Sequence, residues 1–213
     1  MGLTKQREIN ITKQELIDFE SDIAKRWEGG QIKAPVHLSF NNEEYLIDFF
    51  QYINSEDWVF STWRNHYHSI LHGVPKEVLL EEILLGNSIS FQSPKHHIYT
   101  SAIVGGILPI AVGTALGLKY NNSDGRVFCF VGDMAAESGV FYEAVKYSVN
   151  KKLPIHFIIE DNNLSTNSPT DETWGGKVAC DYFKNGNLKD YVTYFNYKRE
   201  VYPHVGIGKF VHF

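Results

Sequence analysis

Two apolar runs bracket a helical pattern between residues 126 and 160, and this arrangement constrains the fold more than any other feature of the chain. The first run, RVFCFV at 126–131, ends in Gly132-Asp133. The second, PIHFIIE at 154–160, leads into Asp161-Asn162-Asn163. Between them, residues 137–150 place Val140, Phe141, Ala144, Val145 and Tyr147 mostly on one side of a helix. Strand, helix and strand within about 35 residues form a βαβ unit, whose strands are parallel. Strands without polar alternation need cover on both faces. The predicted fold class is therefore α/β, a doubly wound, mostly parallel sheet.

The rest of the 213-residue chain fits around that unit. Residues 12–27 read as an amphipathic helix with a Thr12/Glu15 capping box, stopped by Gly29-Gly30. Asn41 is placed to cap a second helix carrying Tyr45, Leu46, Phe49 and Phe50. Residues 58–63 read as a strand, and RNHYHSILHG starts a helix. Pro75 opens another helix at its first position. Residues 88–101 show no periodicity and read as a long loop, a length that is often functional. A small-residue helix at 104–120, a polar turn at 121–125 and a β-prone tail at 190–200 complete the reading, with one last strand after Pro203. Residues 1–57 are taken as an N-terminal helical extension and 58–213 as the α/β domain.

Composition excludes several classes. At 43% hydrophobic and 21% charged the chain is globular, not disordered. A net charge of −5 with dispersed basic residues argues against a nucleic-acid partner. The longest apolar run, residues 103–118, is sixteen residues with four Gly and one Pro. That is short of the roughly 20 needed to span a bilayer, so no membrane role is expected. Residues 1–15 carry no secretory pattern. Cys129 and Cys180 make no disulfide framework, which points to a reducing cytoplasm.

The chemistry sits at the strand ends. Ligands of doubly wound sheets bind beyond the carboxyl ends of strands, where Asp133 and Asn162 fall. A carboxylate and an amide carbonyl there suit Mg²⁺, which takes hard oxygen ligands and keeps phosphate oxygens among them. Gly132 permits a sharp turn, small Ala135 and Ala136 let a diphosphate approach the main chain, and the next helix adds a favourable dipole. Taken singly, each motif is more often structural: Asp after a strand is a common N-cap, and Asn-Asn a common turn. His66, His68 and His72 raise zinc as a weaker alternative, without a nearby carboxylate or Cys to complete a site.

Gly132-Asp133 followed 29 residues later by Asn162 resembles the thiamine diphosphate motif. The text between, FYEAVKYSVNKKLPIHFIIEDN, is similar to the alpha subunit of 2-oxo-acid dehydrogenase first components, in the transketolase-like superfamily. Ser61-Thr62-Trp63-Arg64 with HGVP, and Ala102-Ile103-Val104-Gly105, extend the likeness upstream. The resemblance implies thiamine diphosphate with Mg²⁺ held by Asp133, the Asn162 side chain and the Leu164 carbonyl. Arg64 would meet the diphosphate beside Trp63. Gly132, Met134 and Ala135 would line it, and Val104 and Gly105 would lie near the pyrimidine. His97 is the candidate for reaching the substrate, with a plain loop histidine as the alternative.

The resemblance further implies a 2-oxo acid substrate and a beta-type partner subunit carrying the glutamate that activates the pyrimidine, in an α₂β₂ assembly. Two features depart from the family pattern. Met134 stands where Gly is usual, and the chain ends soon after the Asn motif, so that neither His204 nor His212 is matched to the family's phosphate-side histidine. Those departures keep two other readings open: a transketolase-like or acyloin-forming subunit, and a non-catalytic interaction module.

Overall fold

Alternation inside the two apolar runs decides the layering. Phe128 and Phe130 join one core, and Val127, Cys129 and Val131 join another; in the second run Ile158 faces away from Ile155, Phe157 and Ile159. The sheet is thus covered on both faces, which is why neither run shows polar alternation. The structure, a computed structural model, describes residues 3–185, 188 and 190–209. Among these, the helices are α1 (Lys13–Glu28), α2 (Glu43–Phe50), α3 (His66–His72), α4 (Lys76–Leu84), α5 (Ile107–Tyr120), α6 (Asp133–Ala136), α7 (Gly139–Lys151), α8 (Thr170–Trp174) and α9 (Val178–Asn185). The strands are β1 (Trp58–Ser61), β2 (Gln92–Ser93), β3 (Ile98–Thr100), β4 (Val127–Gly132), β5 (Ile155–Asp161), β6 (Leu164–Ser165), β7 (Ser168–Pro169) and β8 (Val192–Asn196).

The main sheet has the order β2-β3-β1-β4-β5-β8, parallel except for β2 at its edge. Strands β6 and β7 form a small hairpin of their own. Helices α1 to α4 cover the face that carries Phe128 and Phe130, where Phe50 stacks on Phe130 with centroids 5.5 Å apart. Leu16, Ile23, Leu46 and Phe49 from the N-terminal helices share that core with the sheet. Helices α5, α7 and α9 cover the other face through Ala111, Ala115, Phe141, Val145 and Phe183.

Buried polar groups tie the layers. Glu20 on α1 accepts from the Ser39 amide at 2.6 Å and meets His66 Nδ1 at 3.1 Å, while His66 Nε2 meets Ser88 Oγ at 2.9 Å. The Ser88–His66–Glu20 chain has the connectivity of a nucleophilic relay, but all three are buried, and their work is structural. The three histidines read as a zinc alternative go separate ways: His68 to Glu160, His72 to the Asp57 carbonyl. Among the described residues, no group of three or more His, Cys, Asp or Glu side chains is placed to hold a metal. No helix among them is long and apolar enough to cross a membrane.

Several boundaries differ from the sequence reading. Asn42, not Asn41, precedes α2, and Pro75 is the N-cap of α4 rather than its first residue. The stretch 88–101 is not a loop: it holds β2, β3 and two 3₁₀ turns, because strands of two or three residues are set by their neighbours rather than by periodicity. The tail strand is β8, paired in parallel with β5. Residues 204–209 form turns where a last strand was expected; 210–213, including His212, lie outside the described residues.

Candidate functional site

The carboxyl ends of β1, β4 and β5 open into a common cleft. Gly132 pairs with Glu160 across β4 and β5, which brings the residues following each strand to a common rim. Trp63 and Arg64, just after β1, form one side. Val104 and Gly105, before α5, form the mouth; Gly132, Met134 and Ala135 line the floor, with Asn162 and Leu164 beside them. Asp133 lies behind that lining, 1% exposed, at the start of α6. The structure therefore gathers nine of the expected residues around one cavity, with Asp133 adjoining it.

His97 is the exception and requires correction. It precedes β3, which runs parallel to β1, so it lies at the amino ends of the strands. Its carbonyl accepts from the Val59 amide, and its ring packs 4.9 Å from Trp58. Roughly 10 Å of strand separates that end of β3 from the cleft. The positive φ of 53° at His97 belongs to the turn that starts β3.

Local conformation explains how the donors are presented. Asn162 folds an Asx turn, its Oδ1 accepting from the Leu164 amide at 3.1 Å, while its Nδ2 donates to the Tyr197 hydroxyl at 3.2 Å. Asn163 takes φ 62°, a left-handed conformation that Asn tolerates. Met134 carries ordinary helical backbone in α6, so the position that is usually Gly demands no glycine here. The Trp174 indole N–H donates to the Met134 sulfur. The expected helix dipole is reduced: α6 is one turn, and α7 starts separately at Gly139.

Charge in the cleft is strongly shaped by burial. The Arg64 guanidinium, 7% exposed, donates to the His204 carbonyl at 2.8 Å and lies 3.3 Å from His204 Nε2. Burial lowers its pKa to about 10, which leaves it cationic at neutral pH. The same burial, with Arg64 and Arg199 nearby, drives His204 down to about 2, so this imidazole is neutral. Burial holds the Asp133 carboxyl well above the usual range, and the charge of Asp161 adds to this; the Thr170 hydroxyl and the Lys177 ammonium pull the other way.

The sequence reading missed Asn42, Glu160, Tyr197 and His204, all of which line the cleft. Glu160 was detectable, because it shares a strand face with Asn162 at spacing two. Its oxygens are engaged by Asn42 Nδ2 at 3.3 Å and His68 Nε2 at 3.1 Å. Asn42 and Tyr197 arrive from distant elements and gave no local signal. The oxygen set of Asp133, Asn162 and Leu164 fits a hard divalent ion, and the buried Arg64 cation fits an anion held by that ion.

Known proteins resemble this chain over most of its length. The chain is 29% identical over 189 residues to the pyruvate dehydrogenase E1 component subunit alpha of Porphyra purpurea, covering 76% of this chain and 55% of the relative. It is 29% identical over 178 residues to the namesake subunit of Rickettsia prowazekii, covering 79% and 54%. It is 26% identical over 201 residues to the alpha subunit of acetoin:2,6-dichlorophenolindophenol oxidoreductase of Bacillus subtilis, covering 85% and 59%. The chain spans about half the length of the curated relatives it matches. The family description "Dehydrogenase E1 component" matches residues 12–183, most of the sequence from the first helix to α9. By that match the chain belongs to the dehydrogenase E1 component family.

Proposed function

We propose that this chain is the diphosphate-binding, alpha-type subunit of a thiamine diphosphate- and Mg²⁺-dependent enzyme that acts on a 2-oxo acid. The observation that carries the reading is the pairing of Asp133, Asn162 and Leu164 at the ends of adjacent strands with buried Arg64 across one cleft. The Asp133 carboxylate, the Asn162 amide oxygen and the Leu164 carbonyl would hold Mg²⁺. Arg64 would neutralise the diphosphate, with Trp63 against it and Gly132, Met134 and Ala135 along it. Val104 and Gly105 would border the pyrimidine. When bound, such a cofactor supplies a nucleophile for the 2-oxo carbonyl and a sink for the electron pair released with CO₂.

The chain's own residues bind, orient and keep out water. Burial of Arg64 and Asp133 in a poorly solvated cleft makes their charges act strongly at short range. Glu160 is engaged with His68 and Asn42, which supports a reading in which a beta-type partner supplies the glutamate that activates the pyrimidine. Ile103 at 74% and Val104 at 61% exposure leave large apolar side chains uncovered at the mouth, which supports a partner seated there, in an α₂β₂ assembly.

Calorimetric titration with thiamine diphosphate and Mg²⁺ tests the reading. Heat of binding is expected for the unaltered chain mixed with its partner and none for Asp133→Ala; equal binding by both would refute it. The likeness to acetoin oxidoreductase subunits favours a second reading, in which the substrate is an acyloin. Dye reduction by the assembled enzyme with an acyloin but not with 2-oxo acids would select that one.

A further inference from the structure

Asp161 lies between the cleft-facing Glu160 and Asn162 but turns its side chain to the opposite face of the strand, fully buried. There both of its oxygens meet the Lys177 ammonium, at 2.7 and 2.8 Å. The Tyr194 hydroxyl donates to Oδ2, and the Asn163 amide donates to Oδ1 at 2.8 Å. The Asp161–Lys177 contact closes a loop sixteen residues long in sequence separation. That loop begins with Asn162 and Leu164, passes through the β6–β7 hairpin and α8, and returns through Gly175 and Gly176. A second tie, from the Thr170 amide to the Asn163 carbonyl at 3.0 Å, holds its middle. Trp174, near its end, contacts Met134 in the cleft floor.

We propose that the Asp161–Lys177 ion pair, supported by Tyr194, is a positioning device that sets the divalent-ion affinity of the cleft. It rests on the reading that Asn162 and Leu164 face a bound ion. Two oxygen donors on a turn bind well only if the turn is already in place, and this turn is held from behind by the pair. The ammonium also neutralises the Asp161 carboxylate, whose charge acts on Asp133. Lys177 is half-buried, 17% exposed at its side chain, and Asp161 is fully buried, so the contact is only weakly screened by salt. Groups that orient metal ligands from behind typically change affinity by about 10–100-fold when removed.

The test uses Mn²⁺ as a paramagnetic stand-in for Mg²⁺, titrated into the full chain with thiamine diphosphate and followed by electron paramagnetic resonance. Lys177→Met and Asp161→Asn are expected to weaken Mn²⁺ by about 10–100-fold. Lys177→Arg, which can pair with both oxygens, is expected to restore most of the affinity. A purely structural pair would lower the melting temperature of Lys177→Met and leave its Mn²⁺ affinity unchanged, and that result would overturn the proposal. Should Lys177→Met fail to fold, Tyr194→Phe removes a single hydroxyl from the same carboxylate. It is expected to weaken Mn²⁺ in the same direction, and unaltered affinity there would be equally adverse. If the unaltered chain binds no more Mn²⁺ than Asp133→Ala does, the cofactor reading itself fails and the role of the pair falls with it.

Discussion

Arg64 shows how the position of a side chain can be legible while its surroundings are not. Its position after β1 was legible from Ser61-Thr62-Trp63-Arg64, but its burial was not, since His204 arrives from 140 residues away. Because the guanidinium already satisfies the His204 carbonyl, Arg64→Ala removes a buried donor together with the anion contact proposed for it. It is expected to cost about 1–3 kcal/mol of stability, the typical penalty for stranding a buried partner, and to weaken thiamine diphosphate binding as well. Urea unfolding and calorimetric titration of the same variant check the two effects; unchanged stability would show that the His204 contact contributes nothing. Met134 teaches the converse. It stands where the resemblance expects Gly, yet Met134 is helical and its sulfur contacts Trp174. Glycine is required where the backbone is left-handed or must approach a ligand closely, and the backbone at Met134 is not left-handed.

Among the elements, those with strong internal periodicity were legible and those defined by neighbours were not. The Thr12/Glu15 capping box formed as read, with Thr12 N–H donating to Glu15 at 2.9 Å and Glu15 N–H to Thr12 Oγ1 at 3.3 Å. Strands β4 and β5 fell within a residue of their expected limits, because five and seven buried residues in a row leave little choice. Strands β2 and β3 escaped notice, and with them the direction of the chain at His97; that is why a histidine at the wrong end of the sheet looked like a substrate contact. The centre of β4 carries the load that sequence could only imply. Phe130 is fully buried, stacked on Phe50 and edge-on to His68 and Phe49. Phe130→Ala is expected to destabilise the chain by about 3–5 kcal/mol, the range for large aromatic deletions in a core. A loss below about 1 kcal/mol in denaturant midpoints would mean that the layers α1 to α4 are not anchored on this strand.

At the scale of the whole molecule, buried histidines couple folding to acidity. Burial holds His72 and His156 down to about 4, with His72 donating to the Asp57 carbonyl and His156 contacting Thr193. His37, also near 4, and His204, near 2, are lowered for the same reason. Each is neutral in the fold and takes a proton more readily when unfolded. The unfolded chain therefore binds more protons below about pH 6.5, and stability is complete above that value and declines as pH falls toward about 4. A depression of this size in His72 and His156, both nearly inaccessible, is worth about 3 kcal/mol each. Asp133 opposes them: its raised carboxyl contributes stability at low pH that is lost as pH rises through its folded value. Four imidazoles against one carboxyl leave the net slope positive. Two of them alone approach the 5–15 kcal/mol of a typical domain, so the chain is expected to unfold before reaching pH 4. Urea midpoints measured from pH 7 to 4.5 should fall steadily, and His72→Gln should flatten the curve by keeping a neutral donor at that position. A midpoint constant across this range would mean that water reaches these rings and that the layers are looser than their burial implies.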